Sequence, residues 1–446
     1  MTYDAVIIGG GLSGLAAAVK ISAGGGRVAL FEQSPKLGGR CYSYRDATTG
    51  ETVDNGQHVL LGSYRALLHY LGVIGTSHRL RAEPSLTLPF HHPDRGFATL
   101  RMASLPAPLD LTAGILKYRF LSVREKADLL RAGKWLSSWT PAKAKSIESL
   151  TVDEWLTMMG QDRNSRHCFW DPISVSVMNE RPDAASALLF ARAMRRTFLE
   201  KNADSRMLIP TVGQTELYVR GAVRFLESRG SLVRLKTPVD GIALTGRGTD
   251  GVYLRDGGLV GGGSVISSVP PWALAAILPA DGATAPILAA ARTITPSPIV
   301  SINLWFDRAF MEGEVLGTIG RTVQWVFNRR AILGEGGGKG GCVSCVISAA
   351  RDVMAVSPAS LAELAAGELR SVFPGAARAG LVHAVVIKEK RATFSPTPAA
   401  EASRPAAASP VRGLFLAGDW TDTGLPATIE GAVVSGYAAA DLVLNR

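Results

Sequence analysis

The chain has 446 residues, a formal net charge of +10, a hydrophobic content of 47% and a charged content of 19%. This length is too great for one compact core and predicts two intertwined domains. No run of about 18 apolar residues could span a bilayer, no secretory signal precedes the first apolar strand, and four scattered cysteines do not fit a secreted disulfide scaffold. We therefore expect a cytoplasmic protein.

The first segment carries a nucleotide-binding pattern. An apolar run at 5–8 leads into Gly9-x-Gly11-x-x-Gly14, a helix is predicted over 15–23, and a second strand ends in the acid Glu32. Glycines let the backbone turn tightly beside a pyrophosphate, a helix N-terminus offers unpaired N–H groups, and the acid can accept ribose hydroxyls. The predicted dinucleotide contacts are Gly9, Gly11, Leu12, Ser13, Gly14, Glu32 and Gln33.

A glycine turn with an arginine follows at Gly38-Gly39-Arg40. An arginine on such a turn can reach a second phosphate that the first helix leaves partly exposed. Nicotinamide enzymes do not usually need this contact. Gly39 and Arg40 therefore favour a flavin dinucleotide.

The next part predicts a largely helical insertion with a basic and apolar surface. Ser122-x-x-Glu125 and Thr151-x-x-Glu154 are capping boxes that open helices, and another helix is predicted over 183–198. Residues 101–145 hold nine basic and three acidic side chains, interleaved with apolar ones. This pattern is typical of helices on an anionic membrane surface, and it also fits an ordinary helix with a solvated basic face. No nucleic-acid motif accompanies the charge, and the residues alone leave both interpretations of region 105–140 open.

The remaining segments predict how the two domains are divided. Strands are predicted at 233–239, 251–255, 264–269, 299–306 and 322–327, a helix from Ser360, and a loop over 395–410. The fold expected is α/β (α+β overall), with a discontinuous Rossmann-like domain and a substrate domain of mixed sheet and helices. The first comprises residues 1–85, 205–275 and 410–446, and the second comprises 86–204 and 276–409.

The last segment supplies another strand, which ends in Gly418-Asp419, and a helix predicted to start near Thr428-Ile429-Glu430. Asp419 is placed for a ribityl or phosphate-proximal hydroxyl. The helix N-terminus can stabilise negative charge on the pyrimidine edge of a reduced flavin. Together with Arg40, these residues predict FAD as the cofactor.

These motifs resemble those of the FAD-dependent amine oxidase and carotenoid desaturase superfamily. Within it, Val53-Asp-Asn-Gly-Gln-His-Val-Leu-Leu-Gly-Ser-Tyr64 and the segment 418–431 resemble the hydroxysqualene dehydroxylases of bacterial hopanoid synthesis. One departure is Val434, where many relatives are expected to carry a basic residue. The resemblance implies further cofactor contacts from Asn55, Gly56, Gln57, His58 and Val239.

The resemblance also implies a reaction. The substrate would be hydroxysqualene, a C30 allylic alcohol, which acid-assisted loss of water and hydride transfer from N5 of the reduced flavin would convert to squalene. Prenyl synthases of the squalene pathway are candidate partners, and the implied lipid substrate favours contact of region 105–140 with the inner face of the cell membrane. A carotenoid-type desaturase and, less favoured, an FAD amine oxidase are alternatives on the same scaffold, and a non-catalytic flavin-binding or membrane-binding protein is a further one. The sequence does not indicate an oligomeric state.

Such a reaction needs a general acid in an apolar tunnel; Asp54 is one possible source, and three other residues are favoured. They are Asp171 in the insertion, His58 beside the flavin motifs and Asp422 after Asp419, each of which could equally cap a turn or satisfy a structural contact. No metal site is expected, because Cys342 and Cys345 would point to opposite faces of one strand. The aromatic and sulfur-containing side chains predicted to line the tunnel are Trp170, Phe190, Met194, Phe198, Trp305, Trp325 and Phe327.

Overall fold

The computed structural model describes residues 3–246, 248–334 and 340–445. In those ranges the strands are β1 (Ala5–Ile8), β2 (Val28–Phe31), β3 (Ser43–Arg45), β4 (Thr52–Asp54), β5 (Leu60–Leu61), β6 (Leu80–Ala82), β7 (Thr87–His92), β8 (Gly96–Arg101), β9 (Met207–Pro210), β10 (Leu232–Arg234), β11 (Val239–Thr245), β12 (Gly248–Leu254), β13 (Leu259–Gly261), β14 (Val265–Ser267), β15 (Pro296–Phe306), β16 (Val315–Thr318), β17 (Trp325–Asn328), β18 (Gly341–Ile347), β19 (Leu381–Phe394) and β20 (Leu414–Leu416). The helices are α1 (Leu12–Ala23), α2 (Arg65–Val73), α3 (Leu109–Lys117), α4 (Val123–Ser137), α5 (Pro141–Ser146), α6 (Val152–Met158), α7 (Arg163–Ser165), α8 (Asp171–Met178), α9 (Ala187–Phe198), α10 (Gly221–Ser228), α11 (Pro271–Ile277), α12 (Ala285–Thr293), α13 (Arg329–Leu333), α14 (Pro358–Val372), α15 (Pro398–Ser403) and α16 (Ile429–Leu444).

A parallel sheet joins the two ends of the chain to its middle. Its strand order is β10-β2-β1-β14-β20, and each neighbouring pair is parallel. β1, β2, β14 and β20 are buried along their whole length, as expected of parallel strands covered on both faces. The last helix, α16, packs closely on α1, since a Cβ atom on Gly436 would lie 2.2 Å from the carbonyl oxygen of Ser13. The predicted α/β fold class is confirmed.

A second, mostly antiparallel sheet has the order β19-β15-β18-β17-β16-β7-β8. Helix α14 packs against it over a separate apolar core that includes Val300, Leu304 and Leu361. The hairpin of β7 and β8 lies in the stretch predicted to be largely helical, so that stretch begins with strands. Cys345 faces the core under α14 and Cys342 faces Val53 and Trp305 on the other side, which confirms that the two thiols point to opposite faces.

The helical insertion starts where its capping residues predict. Ser122 and Thr151 each form a reciprocal capping box with the glutamate three residues later, at the N-termini of α4 and α6. The helix predicted from 183 begins at Ala187, where Ser186 caps it. Within the described ranges, no helix combines the length and the apolar character needed to cross a bilayer.

Three other predictions need correction. The strand predicted at 233–239 is two strands, because Lys236 adopts a positive φ of 52° and Pro238 cannot continue a ladder. The helix predicted from Ser360 begins at Pro358 with Ser357 as its cap. The loop predicted over 395–410 contains α15, which Thr397 caps.

Candidate active site

A cavity of about 1,200 Å³ lies where the carboxyl ends of the parallel strands meet the second sheet. This position is the usual ligand site of open α/β sheets. The volume exceeds the ~300–1,000 Å³ of a typical small-molecule pocket. One end is lined by the glycine-rich segments of the parallel sheet, and the other by apolar side chains of the second sheet and the insertion.

The phosphate-binding turn has the geometry that its glycines predict. Gly9 adopts a φ of +100°, and Gly11 precedes α1 without any side-chain cap. A Cβ atom on Gly11 would meet nothing within 4 Å, so this position borders open space in the cavity. Gly14 does not line the cavity: a Cβ atom there would lie 2.1 Å from the Gly9 carbonyl oxygen. The absence of a side chain at Gly14 therefore lets helix and turn pack closely, and its predicted cofactor contact stays a prediction.

Glu32 lies at the end of β2 on the cavity wall, next to Gln33. Its carboxylate accepts hydrogen bonds from the backbone N–H groups of Gly10 at 2.7 Å and Ser34 at 2.8 Å. Val239 lines the same part of the cavity. The anionic carboxylate thus lies one strand away from the phosphate turn, the separation that an adenosine ribose requires.

Arg40 and Asp419 connect the two terminal segments. Arg40 Nη2 lies 2.8 Å from Asp419 Oδ1, and Arg40 Nη1 donates to the carbonyl oxygen of Ala392 at 2.8 Å. Asp419 is buried and follows Gly418, whose φ is +136°. A Cβ atom on Gly39 would lie 3.1 Å from Gly11 Cα. The arginine turn therefore rests directly against the phosphate turn.

The N-terminus of α16 also faces the cavity through Thr428 and Ile429. Glu430 lines the cavity too, but its carboxylate accepts from the backbone N–H groups of Ala66 at 3.1 Å and Leu67 at 2.9 Å, and it pairs with Arg196. Burial raises the pKa of Glu430, against the lowering effect of these donors. The side chain of Glu430 thus anchors the start of α2, and the predicted contact of this residue with the cofactor stays a prediction.

Residues 55–58 form a polar part of the cavity wall, in which Asn55 is buried and the next three residues are half-buried. Asn55 Nδ2 donates to the carbonyl oxygen of Arg40 at 2.9 Å, and Gln214 donates to the carbonyl oxygen of Gly56. Gln57 and His58 line the cavity. The Nδ1 atom of His58 is buried and has no hydrogen-bond partner in the described ranges. Burial lowers the pKa of His58, and the nearby Asp54 carboxylate opposes this effect.

The structure does not bring the other two acid candidates to the cavity. Asp171 is the first residue of α8 and is absent from the cavity lining; burial raises its pKa, while His167 and Arg166 lower it. Asp422 is exposed and accepts from the backbone N–H of Gly424 at 3.2 Å. Of the three predicted acids, His58 therefore is the one that lines the cavity.

The apolar end of the cavity agrees in part with the predicted tunnel. Phe198, Trp325 and Phe327 line it. Trp170 and Phe190 instead pack in the helical core with Trp155, and the indole N–H of Trp305 donates to Glu51 at 2.9 Å. Other lining residues lie outside every sequence motif and arrive by tertiary folding: Leu86, Leu88, Arg196, Trp272, Val315, Glu389 and Arg391.

The residues of the nucleotide end fit FAD. The uncapped start of α1 and the space beside Gly11 suit a pyrophosphate, Glu32 suits a ribose, and the start of α16 suits a charged ring edge. The cavity continues from this end to the apolar wall. The space available therefore suits a dinucleotide and a second, apolar molecule side by side.

The chain matches known proteins over its full length. Residues 12–444 match the family described as flavin containing amine oxidoreductase. A hydroxysqualene dehydroxylase of Rhodopseudomonas palustris is 33% identical over 100% of this chain and 99% of its own. The enzyme of the same name from Zymomonas mobilis is 29% identical over 99% of both chains. A 15-cis-phytoene desaturase of Solanum lycopersicum is 25% identical over 99% of this chain and 78% of its own.

The fold is also found among solved structures. An oxidoreductase from Methanosarcina mazei superimposes with a TM-score of 0.76 at 18% identity, covering 98% of this chain and 99% of its own. The chain therefore belongs to the flavin containing amine oxidoreductases and, within them, to the hydroxysqualene dehydroxylase family, and it is an FAD-dependent oxidoreductase.

Proposed function

We propose that this enzyme reduces hydroxysqualene to squalene. The observation that carries the proposal is a continuous cavity with a dinucleotide-binding end and an apolar end, in a chain whose relatives are named hydroxysqualene dehydroxylase. An isoprenoid alcohol has one polar group on a long hydrocarbon. A mostly apolar wall with a few polar groups at one place is the complement of such a molecule.

FAD, when bound in its reduced form, supplies the hydride that replaces the hydroxyl group. The chain itself has two tasks. The side chains of Leu86, Val315 and Phe327 bind the hydrocarbon and exclude water from the reacting carbon. The imidazole of His58 donates a proton to the leaving hydroxyl, so that the hydroxyl departs as water.

The pKa of His58 bears on this step. Burial lowers it below the ordinary value of 6.5, so the neutral imidazole predominates at neutral pH. A neutral ring can still donate one hydrogen bond to the hydroxyl group. Full proton transfer is favoured as the pH falls and the imidazolium population grows.

Anaerobic turnover tests the proposal. Enzyme whose flavin has been reduced with one equivalent of dithionite is mixed with hydroxysqualene in detergent, and the extracted products are identified by gas chromatography and mass spectrometry. Squalene formation in one equivalent per flavin is the expected result. No squalene from enzyme that holds a full complement of FAD would contradict the proposal.

An oxidative desaturase is the second candidate, and similarity to 15-cis-phytoene desaturases favours it. In that reaction electrons pass from the lipid to the flavin. When oxidised enzyme is mixed with phytoene, its flavin would then become reduced and a product with additional double bonds would form. Peroxide formation with a polyamine would instead indicate an amine oxidase.

We further propose that α3 and α4 contact an anionic membrane surface from the cytoplasmic side. Leu109, Leu116 and Val123 are exposed over 56%, 55% and 86% of their surface, next to basic residues at 117, 119, 124 and 126. Exposed apolar side chains flanked by Lys and Arg suit the headgroup region of a leaflet. Such contact would give the enzyme access to a substrate that is dissolved in the bilayer.

A further inference from the structure

A second cavity of about 320 Å³ lies beside the main one, inside the helical insertion. It is formed by α3, α4, the end of the turn Arg166–Trp170 and the C-terminal half of α9. Its lining is almost entirely apolar. The lining residues are Pro108, Leu111, Thr112, Ile115, Leu129, Leu130, Gly133, Lys134, Leu136, Ser137, Phe169, Trp170, Met194, Phe198 and Leu199.

Phe198 separates the two cavities, because it belongs to the wall of both. Its neighbours on α9 divide between them: Ala193 and Thr197 line the main cavity, and Met194 and Leu199 line the second. The Phe198 side chain is half-buried and packs against the apolar clusters on both sides. One side chain thus stands between the flavin cavity and a space of the same apolar chemistry.

The polar residues of the second cavity lie at its outer edge. Lys134 and Ser137 are exposed, whereas Leu129, Leu136, Phe169 and Trp170 are buried. No charged side chain other than Lys134 lines the described cavity. A cavity with these walls binds a hydrocarbon chain and rejects a polar or charged ligand.

On the basis of the proposed function, we infer that this second cavity is the subsite for one arm of the isoprenoid substrate. The hydrocarbon arm would pass Phe198, which lies between the two cavities. Hydroxysqualene carries its hydroxyl group near the middle of the C30 chain. When the reacting carbon lies beside His58, two hydrocarbon arms must be bound at once. The apolar end of the main cavity receives one arm, and the second cavity receives the terminal isoprene units of the other.

Gly133 offers a way to fill the second cavity without disturbing its walls. It lies in α4 and lines the cavity, and a Cβ atom there would meet nothing within 4 Å. Gly133→Phe therefore places a ring in the cavity and also replaces a poor helix former. Gly367→Phe is the matched control, because Gly367 is an exposed glycine of α14 whose Cβ position is equally open.

Photolabelling locates the arm directly. The probe is a C30 allylic alcohol with a diazirine on one terminal isoprene unit, and labelled peptides are mapped by mass spectrometry. In the unmodified enzyme, part of the label should fall on residues 109–117 and 123–137. In Gly133→Phe the amount of label on these peptides should fall at least about tenfold, because an excluded isoprene unit no longer buries several CH₂ groups. In Gly367→Phe the amount of label should be unchanged.

Two results would overturn the inference: label confined to peptides of the main cavity in the unmodified enzyme, or equal labelling of 123–137 in Gly133→Phe. The circular dichroism and FAD content of each variant show that it is folded. A different result would contradict the proposed function and not the subsite: the unmodified enzyme is labelled in both cavities but forms no squalene under anaerobic conditions. Labelling in the main cavity alone together with squalene formation would retain the function and remove the subsite.

Discussion

Arg40 and Asp419 form an ion pair of 2.8 Å between residues that are 379 positions apart in the sequence. The pair holds the arginine turn of the first segment against the strand end of the last. Since both residues line the nucleotide end of the cavity, the shape of that end depends on the pair. Loss of the ion pair should therefore weaken cofactor binding more than it lowers the stability of the fold.

Arg40→Met should weaken FAD binding by at least about tenfold, because removing one partner leaves the buried Asp419 carboxylate unpaired. The measurement is titration of the apoprotein with FAD, followed by flavin fluorescence. Arg308→Met is the control, since Arg308 pairs with Asp307 at the surface. Equal affinities in the two variants would contradict the role assigned to Arg40.

Gly11→Ala and Gly14→Ala should have opposite effects on binding and stability. The added methyl group at Gly11 meets only open space, whereas at Gly14 it lies 2.1 Å from a backbone oxygen. We expect Gly11→Ala to keep the melting temperature of the apoprotein and lose FAD affinity. Gly14→Ala should lose about 1–3 kcal/mol of stability through overpacking. Thermal denaturation of the two apoproteins measures their stability, and titration with FAD measures their affinity. An equal decrease of the melting temperature in the two variants would contradict the different roles assigned to Gly11 and Gly14.

The pH dependence of turnover tests His58. Because its pKa is lowered by burial, the protonated form is present only below the ordinary range of a histidine. The single-turnover rate of squalene formation should therefore rise as the pH falls through that lowered pKa. His58→Gln should lose this rise and about 10²–10⁴-fold in rate. His78→Gln, at an exposed histidine, should keep the profile of the unmodified enzyme; a rise that persists in His58→Gln would assign the proton to another group.

The two carboxylates outside the cavity give the complementary prediction. Asp422→Asn should retain the rate of squalene formation within about twofold, since Asp422 is exposed and faces Gly424. Asp171→Asn should behave similarly, because Asp171 does not line the cavity. The assay is the same anaerobic turnover, normalised to bound FAD. A hundredfold loss in either variant would mean that its carboxylate reaches the substrate.

Membrane contact is tested by sedimentation with anionic phosphatidylglycerol vesicles. The double variant Leu109→Glu, Leu116→Glu should bind the vesicles at least about tenfold more weakly and so sediment in a smaller fraction. The reason is that two apolar side chains are lost and two negative charges are added. Leu259→Glu is the matched control, since Leu259 is 54% exposed and lies in β13, outside the insertion. An unchanged bound fraction for the double variant would exclude α3 as the contact surface.

The nucleotide end of the site could be predicted from the sequence because local rules determine it. A glycine turn between strand and helix, an acid at the next strand end and a strand that ends in Gly418-Asp419 each depend on neighbouring residues, and all but Gly14 line the cavity. The capping boxes at Ser122 and Thr151 are equally local and are also confirmed. The predicted division into two domains stays a prediction.

The apolar end could not be predicted in the same way. Whether an aromatic residue lines a cavity or fills a core depends on which sheet or helix packs against it, and Phe190 and Phe198 differ in this respect although both lie on α9. Asp171 illustrates the same difficulty, since its place in a promising segment did not determine whether it would line the cavity, and the structure places it outside the lining. Glu430 lies at the right helix end, yet its carboxylate turns to the backbone of α2.

The position of β20 at the edge of the parallel sheet has a consequence for biosynthesis. A ribosomal product that stops before Leu414 lacks β20, Asp419 and the helix that covers α1, so it cannot close the FAD cavity. The flavin can then be retained only after the last segment has folded onto the first. The yellow colour of the protein would report that its translation passed this point, and an interrupted product would expose an open apolar cavity to proteolysis.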